Sequence, residues 1–303
     1  MHHVRYLRYV DAVARTGSIR KAAERLNIVS SAVNRRILDL EQEIGTPLFE
    51  RLPRGVRLTP AGEIFVAYLR RALAEVDRVQ SEIEDLQGLR RGVVRIAAIE
   101  GLATHFLPDI ISNFQRDHPK IVFGIDICGR NEVVKRVKLF EADLGLVFNP
   151  PPDADLRHLA EIEERLCAFV PTDHPLADRR SVRLSECVEF PLAIPDRSLG
   201  GRVLLDNFLS KRSLKLEPNL ETNSYELMRH FVLQSGGVYF QISTGVPQPN
   251  GRPGLVAIPL EERGLAVGKL VLCCERSRTL PVAAAMVAEQ IQTVLDGIAA
   301  ESR

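Results

Sequence analysis

Hydrophobic residues in the first 45 positions recur with helical spacing and predict three helices. Residues 4–14 carry the first such pattern, which consists of Leu7, Val10, Val13 and Ala14. The run Thr16-Gly17-Ser18 ends that helix, and Ser18 is suited to cap a second helix over residues 19–26. Ala22 and Ala23 leave room for another helix to cross closely, as tight helix-turn-helix packing requires.

A third helix is predicted after the turn Asn27-Ile28-Val29. Its apolar residues recur at intervals of 4, 3 and 4, at Val33, Ile37, Leu40 and Ile44. The opposite side carries Ser30, Ser31, Asn34, Arg35 and Leu38. Short hydrogen-bonding side chains and an arginine near the start of a helix are typical of a recognition helix in the DNA major groove. The solvated face of an ordinary amphipathic helix explains these residues equally well.

The stretch ERLPRGVRLT, residues 50–59, shifts the balance towards DNA binding. Its Pro-Arg-Gly turn separates two short segments, so that Arg51, Arg54 and Arg57 are expected along a basic hairpin. Such a hairpin is the wing of a winged helix, which lies against phosphates or enters the minor groove.

A long amphipathic helix is predicted from Pro60, with Thr59 as its N-cap. Its apolar seam consists of Phe65, Leu69, Ala72, Val76, Val79, Ile83 and Leu86. This heptad-like spacing favours a coiled coil between two copies of the chain, because an isolated helix of this length needs a partner. The alternative is a single amphipathic helix packed on its own domain.

After Gly92 the pattern changes to strands that alternate with helices. The expected strands cover residues 93–99, 121–127, 143–148, 166–171, 238–242 and 267–274. The expected helices cover residues 102–117, 131–141 and 282–300. This alternation describes βαβ units in two α/β lobes, and a cleft between two such lobes is a common place for a small ligand.

Composition places a basic segment at one end of the chain. The 303 residues are 45% hydrophobic and 26% charged, which is typical of a globular protein with two or three cores. Residues 1–62 contain 11 Lys/Arg and 6 Asp/Glu, a net charge of +5, whereas residues 93–303 contain 24 against 27, a net charge of −3. The asymmetry suggests a polyanionic partner for the N-terminal segment.

The N-terminal segment also argues against export. Arg5 and Arg8 interrupt its apolar residues, and no apolar run approaches the roughly 18 residues that span a bilayer. A cytoplasmic protein without a membrane partner is therefore expected. The five cysteines follow no metal-binding spacing and are expected to be reduced thiols, namely Cys128, Cys167, Cys187, Cys273 and Cys274.

The order of "GSIRKAAERLN", "SAVNRRILDLEQEIGTPLFER" and "RLTPAGE" resembles the DNA-binding end of the LysR-type transcriptional regulators. The resemblance runs unbroken from about residue 4 to residue 63. It implies that Arg35 contacts the DNA backbone, that residues 30–34 read bases and that the wing arginines hold flanking phosphates. The predicted DNA-binding set is Arg20, Ser30, Ser31, Asn34, Arg35, Arg36, Arg51, Arg54 and Arg57.

The start of the third helix departs from the family pattern. Family members usually have Ser-Gln-Pro or Ser-Gln-Ser where this chain has Val29, Ser30 and Ser31. Valine cannot cap a helix through its side chain, so Ser30 or Ser31 is expected to take that role. Loss of the glutamine removes a good bidentate partner for adenine, which changes the expected operator sequence.

The C-terminal two-thirds resemble LysR-type effector domains, which have the periplasmic-binding-protein type 2 fold. The motifs are "VRIAA", "LP", "EADLGLVF", "HPLA" and "GGV". The resemblance implies an effector site made of Glu100, Gly101, Thr104, Cys128, Arg130, Asn149, Ser198, Arg202, Thr222, Asn223, Gln241 and Ser243.

The expected fold class is α/β with an N-terminal all-α winged helix-turn-helix and a C-terminal periplasmic-binding-protein type 2-like bilobal effector domain. The expected domains are a DNA-binding domain at 1–59, a dimerisation helix at 60–90 and an effector domain at 91–303. Within the last, lobe I would cover about 91–163 and 267–303, and lobe II about 164–266.

Glu100 is unusual for the effector cleft. Many family members have Ser or Thr at the positions of Ile99 and Gly101, where hydroxyls and a helix N-terminus suit a carboxylate effector. Glutamate repels a carboxylate, which favours an effector with a donor or a cationic group. The alternative is that Glu100 stabilises its own helix N-terminus and points to solvent. Arg130 and Arg202 are candidates to restore an anion site.

The expected function is a one-component transcription regulator that is not an enzyme and has no cofactor or catalytic residue. Its implied partners are double-stranded promoter DNA, a second copy of the chain in a homodimer or homotetramer, RNA polymerase and an unidentified small-molecule co-inducer. An enzyme, a solute receptor and a non-specific nucleoid protein are the competing interpretations. The chain lacks the GxSxG, HExxH and phosphate-loop motifs of common enzymes, and it shows no evident redox-sensing cysteine pair.

Overall fold

The computed structural model describes residues 2–86, 91–152, 154–212, 214–245 and 254–301. The chain forms two compact units, Met1–Ile83 and Glu84–Arg303. Residues 87–90 of the predicted 60–90 helix lie outside the described residues.

The first unit begins with the three predicted helices, α1 (His2–Thr16), α2 (Ile19–Leu26) and α3 (Ser30–Ile44). Ser18 caps α2 as predicted, because its hydroxyl accepts a hydrogen bond from the Lys21 N–H. Ala22 and Ala23 are buried in the helix crossing, which confirms the role of small residues there. The pattern of apolar positions alone was sufficient to locate this helical core.

The start of α3 differs from the prediction that Ser30 or Ser31 caps it. Val29 is the N-cap residue, and no side-chain hydrogen bond caps the helix. Ser30 already lies within α3, where its backbone is helical, whereas Val29 has the extended backbone of a cap residue. The Val29 carbonyl accepts from the N–H groups of Ala32 and Val33 at 3.1 and 3.4 Å. This helix therefore begins without the side-chain cap that most helices use.

The wing forms as an antiparallel pair of strands, β1 (Phe49–Leu52) and β2 (Gly55–Leu58). Gly55 has φ +99 and closely approaches the turn between α1 and α2, since a Cβ atom there would lie 2.4 Å from the Gly17 oxygen. The Val56 N–H donates to the same oxygen at 2.9 Å. Only glycine fits this junction between the hairpin and the helices.

The long helix α4 (Pro60–Leu86) starts as predicted, with the Thr59 hydroxyl accepting from the Gly62 N–H at 3.0 Å. The predicted apolar seam is wrong in its first half. Leu69 is fully buried in the first unit's own core, and Phe65 packs against the same cluster. The large apolar residues that α4 exposes are Ile64, Tyr68, Val79, Ile83 and Leu86. One face of α4 is therefore packed against the winged-helix core, and the exposed apolar stripe lies on the neighbouring face.

The second unit contains a five-stranded sheet in the order β4-β3-β5-β12-β6. β3 pairs in parallel with β4 and β5, whereas β12 is antiparallel to β5 and β6. These strands are β3 (Gly92–Ala98), β4 (Ile121–Ile127), β5 (Leu144–Phe148), β6 (Leu156–Glu164) and β12 (Gly268–Glu275). The accompanying helices are α5 (Phe106–Asp117), α6 (Arg130–Lys138) and α10 (Val282–Glu301).

A second five-stranded sheet follows in the order β11-β7-β10-β8-β9. Its strands are β7 (Leu166–Pro171), β8 (Leu192–Pro195), β9 (Leu220–Thr222), β10 (Val238–Ile242) and β11 (Leu255–Pro259). Its helices are α7 (Leu184–Cys187), α8 (Gly200–Leu209) and α9 (Tyr225–Ser235). We call the first sheet with its helices the first lobe and the second sheet with its helices the second lobe. The chain passes between the lobes twice, from β6 to β7 and from β11 to β12.

The predicted helix over 102–117 begins later than expected. Residues Glu100–Leu102 form a 3-10 turn, and α5 starts only at Phe106. The segment after β3 is therefore a turned loop, and its Glu100 side chain is free to point away from α5.

Candidate nucleic-acid interface and ligand cleft

The polar face of α3 is open to solvent. Ser30, Ser31 and Arg35 are exposed and Asn34 is half-buried, while Val33 and Ile37 are buried beneath them. The buried pair fixes the rotation of the helix about its axis, because one apolar stripe packs on the unit's core. The predicted recognition face therefore points outwards.

The wing is attached to α3 by a hydrogen bond that the sequence did not predict. Arg51 on β1 donates to the Asn34 Oδ1 atom at 2.7 Å. Asn34 therefore already uses its acceptor oxygen, and its amide nitrogen stays able to donate. No sequence signal links these two residues, which are 17 positions apart.

The other predicted DNA-binding arginines differ in how their charge is balanced. Arg57 lies 2.7 Å from Glu50 across the hairpin, and this carboxylate raises the pKa of Arg57. Arg36 stacks over the Tyr6 ring and pairs with Asp39, and Arg20 lies 3.8 Å from Glu24. Within the described part of the chain, Arg35 and Arg54 have no ion pair. Their exposed guanidinium groups suit phosphate oxygens best.

The cleft of the second unit is closed by direct contacts between the lobes. The Arg130 N–H, at the start of α6, donates to the Ser198 carbonyl at 3.2 Å. The buried Gln241 side chain on β10 donates to the Gly101 carbonyl at 3.3 Å. A Cβ atom at Gly129 would lie 3.2 Å from Ser198. Segments predicted to line an effector site from opposite lobes therefore touch each other.

Glu100 makes the most extensive of these contacts. Its carboxylate accepts from the backbone N–H groups of Tyr225 and Glu226, at 2.8 and 3.4 Å, and from the Ser224 hydroxyl at 3.5 Å. Burial raises the pKa of Glu100, and these hydrogen bonds oppose the shift. The expectation that Glu100 interacts with its own helix and points to solvent is wrong. It instead binds the N-terminus of α9 in the other lobe.

The two arginines considered for an anion site differ in their surroundings. Arg202 is balanced by Asp206 and Glu221, at 2.7 and 3.0 Å. Arg130 donates to the Asn149 carbonyl at 2.7 Å, an uncharged partner. Among the described residues, Arg130 therefore has no carboxylate partner and can pair with an anion, whereas Arg202 already pairs with two carboxylates.

The remaining predicted effector residues fall into three groups. Most hydroxyl and amide groups have intramolecular hydrogen bonds: Ser198 with Asp196, Thr222 with the Ser224 N–H, Ser243 with Glu164, and Asn149 with the Lys269 N–H. Thr104 and Asn223 are exposed. Cys128 is partly buried, and burial raises the pKa of its thiol.

A cavity of about 740 Å³ opens beside these contacts. It lies between the loop after β5 and helix α8, and Arg130 and Asn149 of the predicted set border it. Most of its lining was not predicted, and includes Pro150, Pro151, Leu156, His158, Val203, Asn207, Lys269 and Arg276. Its size is within the range of small-molecule pockets.

Known proteins share both the sequence pattern and the fold. Residues 4–63 match the family model described as bacterial regulatory helix-turn-helix protein, lysR family, and residues 87–296 match the LysR substrate binding domain. The HTH-type transcriptional activator CmpR of Synechocystis is 30% identical over 227 residues, which are 75% of this chain and 74% of that protein. The chain belongs to the LysR-type transcriptional regulator family.

Solved structures show the same fold for this LysR-type regulator. A full-length OxyR variant from Pseudomonas aeruginosa matches with a TM-score of 0.73 at 22% identity, over 95% of this chain and 94% of that one. The effector binding domain of QuiR in complex with shikimate matches with a TM-score of 0.56 at 15% identity, over 68% of this chain and 98% of that one.

Family membership excludes two of the competing interpretations. The LysR-type regulator is a DNA-binding transcription factor with an effector-binding domain, so the enzyme and solute-receptor alternatives are wrong. In the described residues, no helix combines the length and apolar character needed to cross a bilayer.

Proposed function

We propose that this LysR-type regulator binds double-stranded promoter DNA as a homodimer or homotetramer in the cytoplasm, and that a small molecule bound between its lobes controls it. RNA polymerase is the further partner that such control of transcription implies. The observation that carries the DNA-binding part is the exposed Arg35 on the open face of α3, which has no ion pair within the described residues.

The proposed DNA-binding residues differ in whether a carboxylate already pairs with their charge. Arg35 and Arg54 would bind phosphates directly, because neither has a carboxylate partner within the described chain. Arg57 would have to share its charge with Glu50. Asn34 would donate its amide to a base while Arg51 holds its oxygen, and a bidentate contact with adenine would require that hydrogen bond to break. The further proposed contacts are Arg20, Ser30, Ser31 and Arg36.

Dimerisation is proposed through the exposed apolar stripe of α4. Ile64 and Tyr68 expose 74% and 66% of their surface, and Leu86 exposes 88%. A stripe of this kind on a 27-residue helix is stabilised when a second copy covers it. Two winged helices would then address two half-sites about 34 Å apart or a multiple of that distance.

Effector control is proposed from the cleft between the lobes. The effector domain of QuiR, which has the same fold, binds shikimate, and the cavity beside Arg130 and Asn149 has a suitable volume for a small molecule. The further residues proposed to border the effector are Glu100, Gly101, Thr104, Cys128, Ser198, Arg202, Thr222, Asn223, Gln241 and Ser243.

The DNA-binding proposal is tested by recovering sheared genomic DNA with the purified protein at about 150 mM salt, where purely electrostatic binding is weak. A few enriched sites with twofold symmetry would support it, and uniform recovery would indicate a non-specific nucleoid protein. On an enriched site, Arg35→Ala should weaken binding and reduce the salt slope by about 1. Arg180→Ala, which removes an exposed arginine from the second unit, is the matched control and should change neither.

A further inference from the structure

Glu100 connects parts of the second unit that lie far apart in the sequence. It belongs to the 3-10 turn that follows β3 in the first lobe, whereas its hydrogen-bond donors begin α9 in the second lobe, 124 to 126 positions further on. The Ser224 hydroxyl donates to Glu100 and also accepts from the Leu227 N–H at 3.3 Å. The carboxylate is thus built into the capping arrangement of an 11-residue helix.

The physical basis of this contact is the unsatisfied N–H groups of a helix start. These groups and the helix dipole favour a negative charge, and hydrogen bonds to a charged acceptor are about twice as strong as neutral ones. Glu100 is partly buried, so solvent and salt screen the interaction less than at an open surface. Its carboxylate occupies the position that an anionic group of a ligand would otherwise take at this helix.

The residue after Glu100 is fitted to the same surface. A Cβ atom at Gly101 would lie 3.2 Å from the Gln241 side chain and 3.4 Å from the Tyr225 ring, and the Gly101 carbonyl accepts from Gln241. On another part of the cleft, the Arg130 N–H donates to the Ser198 carbonyl. The turn at 100–101 is therefore one of several separate places where the lobes touch.

We propose that Glu100 is a positioning residue that acts as a built-in ligand of the second lobe and holds the two lobes closed in the absence of effector. An effector that binds the N-terminus of α9 then has to displace Glu100. The strength of the hydrogen bonds between Glu100 and α9 therefore sets how much binding free energy the effector must supply. This proposal rests on the proposed control by a small molecule in the cleft.

The test is amide hydrogen exchange of the full-length protein, measured residue by residue without DNA or effector. Glu100→Gln keeps the size of the side chain and removes its charge, and Glu100→Ala removes the acceptor. Glu289→Gln is the control, because Glu289 is an exposed carboxylate on α10 of the same unit. The amides of Tyr225 and Glu226 report the Glu100 contact itself, and the amide of Arg130 reports closure at the separate Arg130–Ser198 contact.

We expect exchange at Tyr225 and Arg130 to increase about ten-fold in both Glu100 variants and to stay unchanged in the control. Unchanged protection of the parallel β3–β4 ladder would show that the variants are folded. Faster exchange at Tyr225 alone would overturn the proposal, because Glu100 would then be only a local helix cap. Unchanged exchange at both would overturn it as well. Failure to find an operator or an effector would leave these exchange rates intact, so the two proposals fail separately.

Discussion

Replacing Val29 with serine tests how the recognition helix α3 begins. Val29 is the N-cap residue, its backbone is extended with φ −76 and ψ 141, and its side chain makes no capping hydrogen bond. Its surface is 67% exposed, so the side chain contributes little to the core. A serine in this backbone conformation places its hydroxyl where it accepts an N–H from the first turn, at Ser31 or Ala32.

The expected change in the stability of α3 is the gain from a capping hydroxyl minus the loss of the partly buried valine side chain. Serine in place of alanine at an N-cap stabilises a helix by about 1 kcal/mol. Val29 is about one-third buried, and full burial of a valine side chain contributes about 1.5 kcal/mol, so its loss costs about 0.5 kcal/mol. Val29→Ser should therefore stabilise α3 by about 0.5 kcal/mol, and Val29→Ala should destabilise it by a similar amount.

Amide exchange at the start of α3 measures this difference in the full-length protein. Exchange at Ala32 and Val33 should be about five-fold slower in Val29→Ser than in Val29→Ala, which corresponds to about 1 kcal/mol. The two variants share the loss of the valine methyl groups, so their comparison isolates the capping hydroxyl. Equal exchange in both would refute the argument that the missing cap limits the stability of this helix.

Three further predictions concern packing and thiol chemistry. Gly200→Ala should destabilise the second unit by at least about 1 kcal/mol in urea unfolding, because the added Cβ would lie 2.5 Å from the carbonyl oxygen that ends β5. The control is Gly297→Ala, which should be neutral or stabilising because its added Cβ meets nothing within 4 Å. Leu69→Ala should destabilise the first unit by about 3 kcal/mol in urea-dependent amide exchange, because Leu69 is fully buried in that unit's core. Leu86 is 88% exposed in the monomer, so Leu86→Ala should instead weaken self-association, as measured by sedimentation. Iodoacetamide at pH 8 should label Cys128 alone, because the other four thiols are buried. Burial also raises the pKa of Cys167, Cys187 and Cys273 to about 12, so that at pH 8 only about one molecule in 10⁴ carries a thiolate at each of these positions. Rapid labelling of two or more cysteines in the folded protein would contradict the third prediction.

Local signals in the sequence were sufficient for the helices, the wing and most strands. Ser18 and Thr59 cap their helices as predicted because a cap and its N–H partner lie only three residues apart. The predicted strand at 121–127 has the observed limits, β4 (Ile121–Ile127), since an apolar run between turn residues is also a local feature. Family motifs of similar length made the DNA-binding end recognisable.

The tertiary structure decided which face of an element is covered and by what. Phe65 and Leu69 have the same spacing as the exposed residues further along α4, and only the packing of the winged-helix core separates the two groups. The position of Arg51 beside Asn34 likewise depends on where the hairpin folds back.

The sequence by itself determined the class of protein, the order of its elements and the basic N-terminal face, because these depend on spacing within a few turns of chain. Only the tertiary structure decided that Glu100 binds α9 and that a cavity opens beside Arg130. Both features join segments separated by many tens of residues, and no local pattern specifies which backbone donors a carboxylate will meet across a cleft.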